Sequence, residues 1–155
     1  MLLPAFSLPA ANRQGEISLW DYKPRRNLAL LFLQDVSRYR SLLDAIAQHY
    51  SDYRELNAEV LVISGQASEQ LTPFPFGALP FPVLVDNDGE LRHKCLGSEE
   101  ELQAVGLIAD RWGEVYGRVI LQPDRAAADE EELRKWLQFV DLQCAECFPP
   151  EWPAV

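Results

Sequence analysis

Residues 28–33 read LALLFL, a continuous apolar run that is long enough for a β-strand and too short for a membrane span. A strand that is apolar at every position is typical of a parallel sheet covered on both faces. A second run, AEVLVIS at residues 58–64, has the same character. Between the two runs, apolar residues recur at helical spacing from Leu42 to Tyr53, which predicts one helix. Together they predict two parallel strands joined by a right-handed helical crossover.

The rest of the chain continues this alternation. A helix is predicted at residues 90–103 and another around the apolar stripe from Leu133 to Val140. Asp129 and Glu132 have capping-box spacing at the start of the last helix, where we expect the acidic residues to be solvated. Four further short runs predict strands: residues 17–20, 81–85, 105–109 and 114–121.

The order of these elements predicts an α/β class. Residues 110–113 are a plausible hairpin turn between the last two strands, so one edge of the sheet is expected to be antiparallel. The economical solution is a central mixed β-sheet flanked by helices on both faces, with the helix at 90–103 and the last helix on opposite faces. Strand–helix–strand followed by a hairpin and a helix is the order of the thioredoxin-like fold.

Composition excludes several classes of function. The 155 residues favour a single domain over residues 1–155, with a proline-rich tail at 148–155. Acidic residues number 24 and basic residues 14, a net charge of -10, so we expect neither a nucleic-acid nor a membrane partner. The first nine residues lack the basic start of a signal peptide, so the protein is expected to be cytoplasmic, with its thiols reduced.

An ordered set of short segments resembles the peroxiredoxins, the alkyl hydroperoxide reductase and thiol-specific antioxidant family. The resemblance covers most of residues 4–140, and the segments that carry it are Phe6-Ser7-Leu8-Pro9, Ile17-Ser18-Leu19-Trp20-Asp21-Tyr22, Leu28 to Leu33, Tyr53 to Ser64, Leu79 to Asp86, Asp88-Gly89-Glu90-Leu91 and Ile108 to Glu114. It implies a thioredoxin-like fold and an antioxidant or thiol oxidoreductase function. In that family a peroxidatic cysteine stands at the first turn of the helix after the LALLFL-type strand, where the helix N-terminus stabilises the thiolate.

The corresponding stretch here, residues 34–41, contains no cysteine. Arg40 matches the arginine of a Cys-x-x-Cys-Arg variant, and Val36 and Tyr39 then stand at the two cysteine positions. Ser37 is no substitute, because the pKa of an alcohol lies far above neutrality and no base is evident. Residues 103–105 also lack the cis-proline or arginine that the resemblance implies. We therefore expect a degenerate peroxidatic region at Val36, Ser37, Tyr39 and Arg40, without peroxidase activity.

Cys144 and Cys147 form a C-x-x-C pair at the end of the last helix, and three interpretations stay open. In the first interpretation the pair is a redox dithiol and forms the catalytic site, although a helix C-terminus and neighbouring acids raise the pKa values of thiols. Alternatively it is half of a zinc site that an oligomer completes. In the third interpretation the cysteines pack as small hydrophobic residues or close a local disulfide.

Cys95 follows Arg92-His93-Lys94, whose charges are expected to lower the pKa of the thiol; a structural role is favoured for it nevertheless. Two functional hypotheses result. One is a thiol oxidoreductase that works through Cys144 and Cys147, and the other is a non-catalytic scaffold or binding module of the same fold. No cofactor is expected. The hypothesised partners are a thiol reductant or a protein dithiol, and a second copy of the chain.

Overall fold

The computed structural model describes residues 1–66, 68–71, 78–98 and 104–143. Cys144, Cys147 and the proline-rich segment 148–155 therefore lie outside the described residues. The strands are β1 Ser7–Pro9, β2 Glu16–Ser18, β3 Asn27–Leu33, β4 Ala58–Ser64, β5 Val83–Val85, β6 Ala104–Ala109 and β7 Val115–Leu121. The helices are α1 Arg40–Gln48, α2 Tyr50–Glu55, α3 Glu90–Leu96 and α4 Ala126–Asp141. No described helix has both the length and the apolar character needed to cross a bilayer.

A five-stranded mixed sheet in the order β5-β4-β3-β6-β7 forms the centre of the fold. Strands β3, β4 and β5 are parallel, β6 is antiparallel to β3, and β7 is antiparallel to β6. Leu33 pairs with Ser64 and Ser64 with Val85, so the three parallel strands end at the same edge. We call this the carboxyl edge, and Gln34, Gly65 and Asp86 are the first residues beyond it. Loops that meet at such an edge are the usual place for ligands in α/β folds.

Helices cover both faces of the sheet, which confirms the predicted architecture. Leu43 and Ile46 of α1, Tyr53 of α2 and Leu133 of α4 pack with alternate residues of the strands in one cluster. Leu91 of α3 belongs to a second cluster on the other face. Burial of each such side chain stabilises the fold by about 1.5–3 kcal/mol.

Two glycines of the β6–β7 hairpin lie directly beneath α4. A Cβ atom on Gly106 would stand 2.9 Å from a methyl group of Leu133, and one on Gly117 would collide with the indole of Trp136. The absence of side chains at these positions lets the helix approach the sheet closely. We call this contact the glycine bed.

Three helix boundaries differ from the sequence prediction. The helix predicted through Leu42 and Tyr53 is interrupted at His49, whose φ and ψ of −100° and 13° are not helical, so α1 and α2 are separate. Helix α3 ends at Leu96 because Gly97 adopts φ +72°, well before residue 103. Helix α4 begins at Ala126, so Asp129 is not its N-cap and the predicted capping box is wrong.

Candidate functional site

The stretch that corresponds to a peroxidatic loop is a short 3-10 helix, Val36–Tyr39, which leads directly into α1. Its first amides are bonded to side chains of the chain itself. The Asp35 carboxylate accepts a hydrogen bond from the Ser37 N–H at 3.1 Å, and the Gln66 side-chain oxygen accepts one from the Val36 N–H at 3.1 Å. The backbone donors that would hold an anion here are therefore already used.

The four residues of the degenerate region are divided between core and solvent. Val36 and Tyr39 are buried in the cluster beneath α1 and α4, whereas Ser37 and Arg40 are exposed. Burial raises the pKa of the Tyr39 phenol above its usual value; the positive charge of Arg38 offsets part of this rise, and the carboxylate of Asp129 adds to it. The surroundings at this position thus disfavour a side-chain anion.

Asp129 is fully buried in the first turn of α4, contrary to the expectation of a solvated acid. Its Oδ2 accepts a hydrogen bond from the Gln122 N–H at 2.8 Å, and its Oδ1 has no partner. Gln122 follows β7 directly, so the carboxylate fixes the turn that connects β7 to α4. Its charge also reaches Tyr39, one of the two matched cysteine positions.

A cavity of about 480 Å³ opens at the carboxyl edge, with Gln34, Ser64 and Asp86 in its lining. Asp86 is buried in its wall, where its carboxylate accepts hydrogen bonds from the Leu91 and Arg92 N–H groups at 3.3 and 3.0 Å. The buried Ser64 accepts a hydrogen bond from the Gln66 N–H at 3.0 Å. Arg92, also buried, contributes a positive charge within electrostatic reach of Tyr39. Sequence reasoning missed Asp86 and Gln66, and only the position of Asp86 after a predicted strand could have indicated it.

No family model matches this sequence, and no curated protein matches it significantly. Among solved structures, thioredoxin peroxidase I of Plasmodium yoelii superimposes with a TM-score of 0.73 at 20% identity, covering 100% of this chain and 98% of that one. The reduced 2-Cys peroxiredoxin of Plasmodium vivax gives 0.75 at 15% identity, covering 91% and 94%. A putative thiol:disulfide interchange protein DsbE of Chlorobium tepidum gives 0.65 at 22% identity, covering 88% and 95%.

The fold is thus a peroxiredoxin-like thioredoxin fold. The resemblance that the sequence indicated is confirmed at the level of fold. The likeness is structural, at identities of 15–22% in these three comparisons, so it carries no activity to this chain.

Within this peroxiredoxin-like fold, the thiol of Cys95 lies half-buried on α3. Burial and the carboxylate of Asp86 raise its pKa to about 12, and Lys94 lowers it by less. The expectation that neighbouring cations would favour the thiolate of Cys95 is therefore wrong, because desolvation exceeds their effect. Cys144 and Cys147 lie outside the described residues. Among the residues that are described, no three metal-ligating side chains come together.

A buried polar cluster lies on the face of the sheet that α1 and α4 cover. We call it the α2–α4 cluster, and its members are His49, Asp52, Tyr53, Glu130 and Arg134. The Tyr53 hydroxyl donates to Glu130 Oε2 at 2.8 Å, and Arg134 Nε donates to the same oxygen at 2.6 Å. His49 Nε2 lies 3.5 Å from Glu130 Oε1, and Asp52 faces both His49 and Arg134. Burial and the Glu130 carboxylate raise the pKa of Tyr53 strongly, so its phenol stays protonated and donates. This cluster is structural, since every polar atom at its centre has a partner within it.

Proposed function

We propose that this chain is a peroxiredoxin-like protein of the antioxidant and thiol oxidoreductase class in which the turn after β3 does not reduce peroxide. One observation carries the proposal. The amides that begin this turn are bonded to Asp35 and Gln66, and residues 34–41 contain no sulfur.

Electrostatics point in the same direction. Peroxide reduction requires a thiolate, which helix amides and cations stabilise and which carboxylates destabilise. Here Asp35 supplies a carboxylate at the start of the turn, and Asp129 supplies a buried one within reach of Tyr39. Arg38 and Arg92 oppose them, but with burial the net effect is still a raised pKa at Tyr39. At the two matched cysteine positions, Val36 and Tyr39 are neutral side chains that complete the core.

The test is the rate at which the reduced protein consumes hydrogen peroxide. We expect wild type to react no faster than an equal concentration of unperturbed thiols, with the same rate in Ser37→Ala. The variant Asp44→Ala, one turn further along α1, controls for differences that arise from the preparation of a variant protein. A rapid burst of one equivalent that Ser37→Ala or Arg40→Gln abolishes would refute the proposal.

A dithiol reaction at Cys144 and Cys147 is the second candidate. Their C-x-x-C spacing favours it, and one structural neighbour is described as a putative thiol:disulfide interchange protein. In this reaction the two thiols become one disulfide and release two protons, while a partner disulfide accepts two electrons and two protons to become two thiols. The same pair as a zinc half-site, completed in an oligomer, stays a prediction.

The dithiol is tested by equilibrating the protein with glutathione buffers and measuring thiol content and mass. We expect a loss of 2 Da in wild type and in Cys95→Ser, roughly the mass of two hydrogen atoms, and none in Cys144→Ser. If wild type keeps three thiols in every buffer, the dithiol reaction is wrong and the binding-module hypothesis is favoured. Zinc in the purified protein, lost in Cys147→Ser, would instead support the half-site.

A second copy of the chain is the partner that the sheet favours. Strand β7 is an edge strand, and the apolar side chains of Tyr116, Ile120 and Phe139 beside it are 38%, 42% and 47% exposed. An edge with unpaired N–H and C=O groups pairs readily with an antiparallel copy of itself around a two-fold axis. We expect light scattering to show a dimer that Ile120→Lys dissociates and Leu2→Lys does not. A monomeric wild type at every concentration would contradict this.

A further inference from the structure

Cations and tryptophans gather at the end of the sheet opposite the carboxyl edge. They come from the 3-10 turn at Leu19–Asp21, from the loop that leads into β3, and from the turn between β6 and β7. The surface they form, which we call the cation–tryptophan surface, consists of Trp20, Lys23, Arg25, Arg26, Arg111 and Trp112.

Contacts within the surface hold these groups together. Lys23 Nζ lies 5.3 Å from the centre of the Trp20 ring, and Arg111 Cζ lies 5.8 Å from that of Trp112. The Trp20–Lys23 pair and the Arg111–Trp112 pair meet at Gly113, because the Lys23 side chain packs over this glycine. Gly113 has a φ of +84°, and a Cβ atom on it would stand 3.7 Å from Lys23 Nζ. Trp20 itself is 65% exposed.

The backbone beneath the cations is also fixed. The Arg25 and Arg26 N–H groups both donate to the carbonyl of Tyr22, and the side-chain amide of Asn57 donates to the Arg25 carbonyl at 2.7 Å. Arg26 reaches the side-chain oxygen of Asn57 at 3.4 Å. The loop therefore presents its charges from a set position.

Nearby carboxylates are occupied with other groups. Asp21 accepts from the Ser18 N–H, Asp110 accepts from the Trp112 and Glu114 N–H groups, and Glu114 pairs with the Met1 ammonium. In the described part of the chain, none of the four cations of the surface forms an ion pair. Lys94 and Lys135 differ, since each pairs with a glutamate four residues before it.

We propose that the cation–tryptophan surface binds an acidic segment of a partner protein. The chain as a whole carries a net charge of -10 and repels such a partner, so attraction at this one end also sets the orientation of binding. A long nucleic acid fits less well, because it would extend beyond the surface and meet the acidic remainder of the molecule. The Trp20 and Trp112 rings also each have a cation over one face, which leaves less ring for base stacking. The proposal is independent of the redox proposal above.

The experiment measures binding of a fluorescein-labelled hexaglutamate peptide to the full chain by anisotropy at low ionic strength. A double variant, Lys23→Gln with Arg111→Gln, removes two charges from the surface and keeps a polar side chain at both positions. The matched control is Lys94→Gln with Lys135→Gln, which changes the net charge equally at two exposed, paired lysines. Circular dichroism checks that both variants are folded.

We expect the surface variant to bind the peptide at least fivefold more weakly than wild type, and the control to remain within twofold. Raised salt should weaken wild-type binding, as for any contact between charged groups. Equal losses in both variants, or no saturable binding to wild type, would overturn the proposal. So would an oligothymidine of similar charge that binds more tightly than the peptide and is lost in the surface variant, because the partner would then be a nucleic acid.

Discussion

The turn after β3 and the α2–α4 cluster lie on the same face of the sheet, and they use polar groups in opposite ways. At the turn, the exposed side chain of Asp35 caps a single N–H group, and only Val36 and Tyr39 of the region contribute to the core. In the cluster, the buried Glu130 has three partners: Tyr53 on α2, Arg134 on α4, and His49 between α1 and α2. The comparison teaches that a buried charge can serve to connect helices, as Glu130 connects α2 to α4, whereas the carboxylate at the turn only caps the backbone.

The largest loss of stability is expected for Glu130→Ala. If this variant were as stable as wild type, the contrast between the two regions would be wrong. It leaves the buried Tyr53 hydroxyl and the partly exposed Arg134 without their shared acceptor, and loss of a hydrogen bond to a charged acceptor costs about 1.5–3 kcal/mol. Urea denaturation measures the free energy of unfolding. Glu131→Ala is the control, since its exposed pair with Lys135 contributes less than about 1 kcal/mol. Equal values for the two variants would show that the cluster is not a structural clamp.

The rate at which the Cys95 thiol is alkylated should depend on pH, and this dependence tests whether burial suppresses the nucleophile on the other face of the sheet as well. A pKa raised from 9.0 to about 12 lowers the thiolate fraction at pH 8 roughly a thousandfold relative to an unperturbed thiol. Alkylation by iodoacetamide, followed residue by residue with mass spectrometry, should be correspondingly slow at pH 8 and should accelerate as the pH approaches 12. A plateau below pH 10 would show that burial does not control this thiol.

Asp35→Ala tests the turn itself. Loss of a capping carboxylate costs about 1 kcal/mol, well below the loss expected for Glu130→Ala. Asp35→Asn keeps an acceptor and should lose less, which thermal and urea unfolding would measure. If Asp35→Ala were as damaging as Glu130→Ala, the contrast between the two regions would be wrong.

The smallest effect on stability is expected for Val36→Cys, which puts sulfur back at one of the two matched cysteine positions. The side chains are similar in size, so the change in unfolding free energy should be smaller than the loss of about 1 kcal/mol expected for Asp35→Ala. Because the Ser37 N–H is bonded to Asp35, the new thiol should react with peroxide no faster than a free one. A rate at least a hundredfold higher, absent from Ser37→Cys, would mean that the turn still stabilises an anion.

Most of the sheet could be predicted because its signals are local. Strands β3 and β4 are apolar at nearly every position, and hairpin turn residues separate β6 from β7. The interruption at His49 was missed because the helical spacing continues across it from Ile46 to Tyr50. Gly97 sits inside an otherwise helical pattern, and only its positive φ shows that α3 ends there.

The candidate site was only half predictable. A missing cysteine can be read from the sequence, whereas the side chains that occupy the amides cannot, since Gln66 lies 30 residues from Val36. Asp129 and Glu130 belong to an acidic run that indicates a solvated helix start. Their burial depends on Gln122 and Tyr53, and Tyr53 lies 77 residues from Glu130.

The glycine bed has a consequence for how the last third of the chain behaves as a physical unit. Leu133 and Trp136 fit only where Gly106 and Gly117 leave room, so sliding α4 along the hairpin would drive both side chains into backbone or Cβ atoms. Helix and hairpin therefore share one register, and neither is complete without the other. We expect their amide protons to exchange with solvent together, as one cooperative segment that opens all at once.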